Sequence, residues 1–100
     1  LLREGQGEAI TILLNLDKIN KDDRINVWHI SLLLAICRLS YLQNEVNNIR
    51  VSRSKLMQLS HIRTFPTYHK YFKELQTFGY IKYFPSYHPG FRSLIQLNLV

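Results

Sequence analysis

Apolar residues recur at helical spacing in the second half of the chain. Five of them stand at i, i+3, i+4, i+7 and i+10: Tyr68, Tyr71, Phe72, Leu75 and Phe78. This stripe is typical of the buried face of an α-helix. Thr64 is the expected N-cap, and Pro66 is tolerated in the first turn because its backbone nitrogen needs no intrahelical partner there. Gly79 suits a left-handed residue after the last turn, so the helix is predicted to end just before it.

Two more helices are predicted before this one. The first covers residues 25–42, and its apolar positions spread over more than one face, so either the preceding segment or a second subunit must cover it. Asp22 and Asp23 stand before it, where the helix macrodipole favours anions. Ser52 is the expected N-cap of the second helix, which runs to about Leu59.

Alternation with a period of two predicts strands at residues 49–51, 80–84 and 95–99. Between the last two, His88-Pro89-Gly90-Phe91 has Pro and Gly at the central positions of a type II turn. With residues 60–63 as a turn, the order is helix, short strand, helix, turn, helix, strand, loop, strand. That is the order of a winged helix-turn-helix domain, an α+β class that is mainly α, with a three-helix core and a small β-hairpin as the wing.

The N-terminal quarter carries a weaker pattern. Residues 1–24 are predicted to be a lead-in, flexible over residues 1–7, with a short helix (or a strand) at residues 8–16. Residues 17–26 are polar and charged and indicate a loop. The winged-helix domain is therefore expected to cover residues 25–100.

Charge is unevenly distributed along the chain. The net charge is +6, yet residues 50–100 carry eight Lys and Arg against Glu74 alone. Such an excess points to a polyanionic partner, because clustered like charges repel one another until a partner neutralises them. A solvated basic face is the plainer alternative.

The residues from 64 to 81 read TFPTYHKYFKELQTFGYI. This segment resembles the recognition helix of bacterial winged-helix regulators such as the GntR and MarR families. Those helices show a Ser or Thr cap, then a Thr, a basic residue, a Leu and a Gly, which here are Thr64, Thr67, Lys70, Leu75 and Gly79. The aromatic residues of the stripe depart from that pattern, and no effector domain of either family is present. The resemblance implies DNA binding by a cytoplasmic, nucleoid-associated protein.

Two of the predicted helices begin with cations instead of carboxylates. Arg53 and Lys55 follow Ser52, and Arg63 precedes Thr64. A cation costs about 0.3–1 kcal/mol at a helix N-terminus, whereas a phosphate placed there pairs with both the amides and the cations. The expected phosphate contacts are Ser52, Arg53, Lys55, Arg63, Thr64 and Lys73.

The start of a recognition helix contacts base edges in the major groove. The expected base contacts are therefore Phe65, Thr67, His69 and Lys70, with Phe65 open to a packing role instead. In the wing, Tyr87, His88 and Arg92 are expected near the backbone or the minor groove. The predicted function is sequence-specific binding of double-stranded DNA as a transcriptional regulator or a mobile-element accessory protein, with a homodimer formed through residues 25–42.

Other classes of protein fit the sequence less well. The four histidines lack metal-ligand spacing and a second cysteine, so neither a metal nor another cofactor is expected, and no catalytic role is predicted. Cys37 is expected in the core. The longest apolar run, residues 32–37, is too short to cross a membrane. Two alternatives stay open: single-stranded nucleic-acid binding by the aromatic residues of the hairpin, and a winged helix that binds another protein.

Overall fold

The computed structural model of the protein describes residues 19–98. It contains, in chain order, α1 (Val27–Gln43), β1 (Ile49–Val51), α2 (Arg53–Ser60), α3 (Phe65–Thr77), β2 (Ile81–Phe84) and β3 (Ser93–Leu97). This is an α+β fold, and its elements follow the predicted order. Residues 1–18 of the lead-in predicted at residues 1–24, with the short helix predicted at residues 8–16, lie outside the described residues. The last strand, predicted at residues 95–99, runs instead from Ser93 to Leu97, and Asn98 is not part of it.

The three strands form one antiparallel sheet in the order β1-β3-β2. In the central strand, Ile95 lies opposite Ile49 on one side and Tyr83 on the other. Ile49 and Val51 are buried and Arg50 is exposed, so β1 alternates as predicted. The sheet therefore has an inner face in the core and an outer face that carries Arg50.

The core lies between the helices and the inner face of the sheet. Its fully buried side chains come from every element and include Leu32, Ile36, Leu56, Leu75, Ile81 and Ile95. The aromatic stripe of α3 is confirmed, since Tyr68, Phe72 and Leu75 are buried while Tyr71 and Phe78 pack against the edge of the core. Cys37 is buried too, and its burial raises the pKa of the thiol to about 11.

The start of α1 differs from the prediction. Its N-cap is Asn26, whose side chain accepts hydrogen bonds from the backbone N–H groups of Trp28 and His29, and Nδ1 of His29 accepts the N–H of Asn26 in return. The first turn holds no acidic residue. The expectation that Asp22 and Asp23 serve this terminus was wrong, because the helix begins at Val27, five residues after Asp22.

The segment before α1 also differs from the polar loop predicted at residues 17–26. Residues 19–20 are helical, and Ile19 is only 2% exposed. A single apolar residue among charged ones produces no periodic signal, so the sequence pattern did not reveal it. Ile19 therefore joins the core from a segment that was expected to be solvated.

Part of the apolar surface of α1 is exposed. Val27 is 70% exposed and Leu42 59%, and Leu34 between them is also exposed. The wide apolar pattern of this helix is thus only partly explained by the core. The homodimer expected through residues 25–42 stays a prediction.

Backbone geometry at two glycines agrees with the sequence. Gly79 has a φ of +87°, its N–H donates to the carbonyl of Gln76, and the N–H of Tyr80 donates to that of Leu75; this is the Schellman ending of a helix. Gly90 has a φ of +90°, and the N–H of Phe91 donates to the carbonyl of His88. The helix end and the type II turn are both confirmed.

Candidate nucleic-acid interface

The first turn of α2 is the meeting point of two surface grooves. Ser52 caps this helix as predicted, because its side chain accepts the backbone N–H of Lys55 at 3.1 Å. Ser54 lines both grooves, whereas Arg53 lines one and Lys55 the other. The cap therefore fixes the first turn of α2, and Arg53 and Lys55 extend from this turn into different grooves.

The first groove, here called the inter-helix groove, runs between α2 and the start of α3. Arg53, Arg63 and Phe65 line it, together with His61. The guanidinium carbon of Arg53 lies 4.4 Å from the centroid of the Phe65 ring, which is a cation–π contact. Phe65 is 54% exposed, so its contact with Arg53 lies at the surface and more than half of the Phe65 side chain remains accessible.

The second groove, here called the hairpin groove, lies between α2 and the β2–β3 hairpin. Arg50, Lys55 and Arg92 line it. Gln43 holds the backbone on which Arg50 stands: its Oε1 accepts the N–H of Arg50 and its Nε2 donates to the carbonyl of Arg50, both at 2.8 Å. Three cations from separate elements thus meet in one depression.

Five cations surround the first turn of α2 and are called the basic cluster: Arg50, Arg53, Lys55, Arg63 and Arg92. Among the residues that the structure describes, none with a carboxylate lines either groove. Within residues 19–98 the one ion pair between a Lys or Arg and a carboxylate is that of Arg24 with Asp22, and Glu74 bonds to His29, so no member of the cluster is neutralised by a described acidic residue. The surface is therefore strongly positive and suited to a polyanion.

The exposed face of α3 carries two lysines and a histidine. His69, Lys70 and Lys73 are exposed, and the His69 ring lies 6.5 Å from that of Phe65. Lys70 leans over the Tyr71 ring at 5.1 Å. His69 thus continues the surface that begins at Arg53, while Lys70 is drawn toward the α1 side of α3.

The side chains of Thr64 and Thr67 pair with each other at the start of α3. Thr64 occupies the N-cap position, but its side chain makes no capping hydrogen bond. Its Oγ1 donates instead to Oγ1 of Thr67 at 2.9 Å. The prediction of a side-chain cap was wrong, because the two hydroxyls pair with each other, and Thr67 is half-buried. The amides at the start of α3 have no side-chain acceptor.

A buried histidine fixes α3 against α1. His29 is 1% exposed, its Nε2 lies 2.8 Å from Oε1 of Glu74, and its ring meets that of Tyr71 edge-on at 4.9 Å. Since Nδ1 accepts the N–H of Asn26, Nε2 carries the proton and donates to Glu74. Glu74, the one carboxylate after residue 49, is thereby held on the α1 side of α3 and away from the grooves.

The loop of the hairpin, residues 85–92, carries large exposed side chains. Tyr87 is 91% exposed and Phe91 74%. Phe91 lines the hairpin groove beside Arg92, and its ring lies 6.5 Å from that of His88. Of the predicted hairpin residues, Arg92 therefore joins the basic cluster, whereas Tyr87 and His88 project from the loop.

The structure brings six of the thirteen predicted site residues to the two grooves. Those six are Ser52, Arg53, Lys55, Arg63, Phe65 and Arg92. The other seven line neither groove: Thr64, Thr67, His69, Lys70, Lys73, Tyr87 and His88. Arg50 is absent from the predicted site, although the alternation in β1 was a usable signal for it. Phe91 was predicted only as one of the hairpin aromatic residues of the single-stranded alternative, and it lines the hairpin groove.

Comparisons with protein-family models, curated proteins and solved structures find no match to this chain. The described residues include no group of three His, Cys, Asp or Glu side chains placed to hold a metal ion. None of the helices within residues 19–98 has the length and apolar content to span a membrane.

Proposed function

We propose that this chain is a winged helix-turn-helix domain that binds double-stranded DNA. The observation that carries the proposal is the basic cluster: five cations from α2, β1, the turn before α3 and the hairpin surround one helix start, and no carboxylate from the described part of the chain lines the grooves between them. Neutralising phosphates with Lys and Arg supplies most of the affinity of DNA-binding proteins.

The arrangement of elements supports the same proposal. α2 and α3 are joined by a turn of four residues, and a β-hairpin follows α3 directly. In a winged helix the second helix of this pair enters the major groove, which here gives α3 the role of recognition helix and the hairpin that of wing. The exposed side chains of α3 nearest its start, Phe65 and His69, would then be the ones to meet base edges.

The helix starts support the proposal less than the cluster does. Neither α2 nor α3 has an acidic residue in its first turn, as expected for phosphate binding. However, α1 also has no acidic residue in its first turn, so this property does not distinguish α2 and α3 from α1. What distinguishes α2 and α3 is the cations at their starts. Arg53 and Lys55 stand in the first turn of α2, and Arg63 stands just before α3.

The first test removes two cations of the inter-helix groove. We expect Arg53→Ala with Arg63→Ala to weaken binding to a short duplex by about tenfold or more, because two phosphate contacts are lost. Fluorescence anisotropy at low salt measures the affinity. Selection of bound duplexes from a random library then shows whether α3 reads sequence.

The matched control removes the same charge elsewhere. Lys21 and Arg38 are exposed and line neither groove, so Lys21→Ala with Arg38→Ala should change the affinity little. Equal losses in the two double variants would show that binding responds only to net charge, and the proposed interface would be rejected. The role as a regulator or a mobile-element accessory protein stays a prediction.

A further inference from the structure

The outer face of the sheet carries a row of side chains that the core does not use. Arg50 of β1 lies opposite Leu94 of β3, and Leu94 lies opposite Phe84 of β2. Arg50 and Phe84 are exposed, and Leu94 is half-buried. A cation, an aliphatic side chain and an aromatic ring therefore cross the three strands on the face opposite the core.

The hairpin loop extends this row. Phe91 lines the hairpin groove together with Leu94, Arg50 and Arg92. Tyr87 projects from the same loop and is 91% exposed. Phe91 thus lies in a groove lined by three cations, Arg50, Lys55 and Arg92, and two further aromatic side chains, Phe84 of β2 and Tyr87 of the loop, are more than half exposed.

This combination has a specific chemical counterpart. An exposed aromatic ring offers a nucleobase a surface for stacking, and every base has a face that can stack. Inside a duplex the bases are already stacked on one another, so these rings can receive only a base that is unpaired or turned out of the helix. The cations between the rings fit the phosphates that flank such a base.

We infer that the hairpin loop and the outer face of the sheet bind unpaired nucleotides that adjoin a duplex. This inference rests on the proposed function, since the basic cluster would hold the duplex while Phe91 and Tyr87 stack on the unpaired bases. The preferred DNA is then a duplex interrupted by a bulge or opened at a fork. A perfectly paired duplex of the same length is the weaker ligand.

The hairpin supplies a wider platform than its two strands alone would. β1 joins the hairpin through β3 and brings Arg50 to the side of Leu94. The row therefore spans three strands. On its α2 side, the groove beside the row is lined by Lys55. A stacked base and its phosphate have separate contacts in this site.

The test compares two labelled duplexes that differ only in a short bulge of unpaired nucleotides. The full chain should bind the bulged duplex about fivefold or more tightly than the paired one, the factor expected from a single stacked base. Tyr87→Ser with Phe91→Ser should abolish this preference, so that the bulged and the paired duplex are bound with equal affinity. Phe91→Tyr, which keeps the ring, should retain the preference.

The matched control is Val27→Ser, because Val27 is as exposed as Phe91 but lies at the start of α1. It should leave both affinities unchanged. Photocrosslinking through 5-iodouracil at the unpaired position should label the peptide that contains residues 85–92. Thermal unfolding of each variant confirms that the fold is intact, and both Tyr87 and Phe91 are too exposed to be needed for it.

The outcomes separate this inference from the proposed function. Equal affinity of the unaltered chain for the two duplexes, or a preference that survives Tyr87→Ser with Phe91→Ser, overturns the inference and leaves duplex binding standing. Binding of the unpaired nucleotides without any affinity for the paired duplex supports the inference and overturns the proposed function. Failure to bind either DNA overturns both.

Discussion

At the residue scale, Asp22 shows how one side chain connects distant segments. Its carboxylate accepts hydrogen bonds from the Arg24 guanidinium at 2.9 and 2.8 Å and from the Tyr80 hydroxyl at 2.6 Å. These bonds, that of Arg24 first, hold the pKa of Asp22 well below its usual range. Burial and the bond to Asp22 raise the pKa of Tyr80 to about 12. The segment before α1 is thereby fastened to the start of β2.

This pair predicts a loss of stability at both extremes of pH. The carboxyl of Asp22 has a lower pKa in the folded protein than its ordinary value near 4. Its contribution to the free energy of unfolding is therefore complete above about pH 5 and is lost progressively as the pH falls below about 4 toward the lowered pKa. The pKa of Tyr80 is raised, so its contribution is present below about pH 10 and is lost as the pH rises toward 12.

We expect Asp22→Asn to flatten the acid side of the stability profile, because the amide cannot be protonated in this range. Thermal unfolding between about pH 2 and pH 7 measures the effect. Asp23→Asn is the control, since Asp23 is exposed and is not joined to Tyr80. An acid loss of the same size in Asp22→Asn and in the unaltered chain would contradict this account.

His29 shows which residue roles local sequence does not reveal. The spacing from Asn26 to His29 is that of a capping box, but its fourth residue is ordinarily Glu or Gln, so a histidine was not recognised there. The partner of its other ring nitrogen, Glu74, is 45 residues away. A contact of that separation follows from tertiary packing and leaves no periodic mark in either segment.

At the element scale, the strongly periodic segments were predictable. The stripe on α3, the alternation in β1 and the turn at residues 88–91 each rest on neighbouring residues only, and the structure confirms all three. The errors fall at helix starts. At the start of α1 the side chain of Asn26 caps the helix, whereas Asp22 and Asp23 were expected to stabilise this end. At the start of α3 the Thr64 hydroxyl bonds to Thr67 instead of capping the helix. Both errors concern which of several nearby side chains accepts a given hydrogen bond, and the sequence pattern does not specify that.

The uncapped start of α3 predicts a conflict between stability and binding. Thr64→Asp would place a carboxylate where the free amides and the helix macrodipole favour one, which should stabilise the protein by about 0.5–1 kcal/mol. The same carboxylate would repel a phosphate approaching Arg63 and Arg53. We expect a higher unfolding midpoint in urea together with a DNA affinity reduced by about tenfold.

The control adds the same charge to the opposite end of α3. Thr77 is exposed in the last turn, where a carboxylate opposes the macrodipole, so Thr77→Asp should lower stability and weaken DNA binding less. If Thr64→Asp stabilised the protein without weakening binding, the start of α3 would not be in contact with DNA.

At the scale of the whole molecule, the fold turns an uneven sequence charge into a localised surface charge. The sequence showed that eight of the cations follow residue 49, but not which of them are neighbours. Folding brings five of them around the first turn of α2, and the His29 contact holds Glu74 elsewhere. Arg50 belongs to this cluster only because β1 pairs with β3, a long-range contact that the sequence pattern did not specify.

The number of cations in the cluster sets the expected salt dependence. Each phosphate neutralised contributes about −0.9 to the slope of log K against log salt, so five contacts give a slope of about −4.5 and a loss of several hundredfold between about 50 and 200 mM salt. Arg50→Ala should reduce the slope by about one contact, and Arg38→Ala, outside the cluster, should leave it unchanged. Anisotropy titrations over this range measure both. A slope near zero would mean that the basic cluster faces something other than a phosphate backbone, and equal slopes for Arg50→Ala and the unaltered chain would remove the sheet from the interface while leaving the helix starts within it.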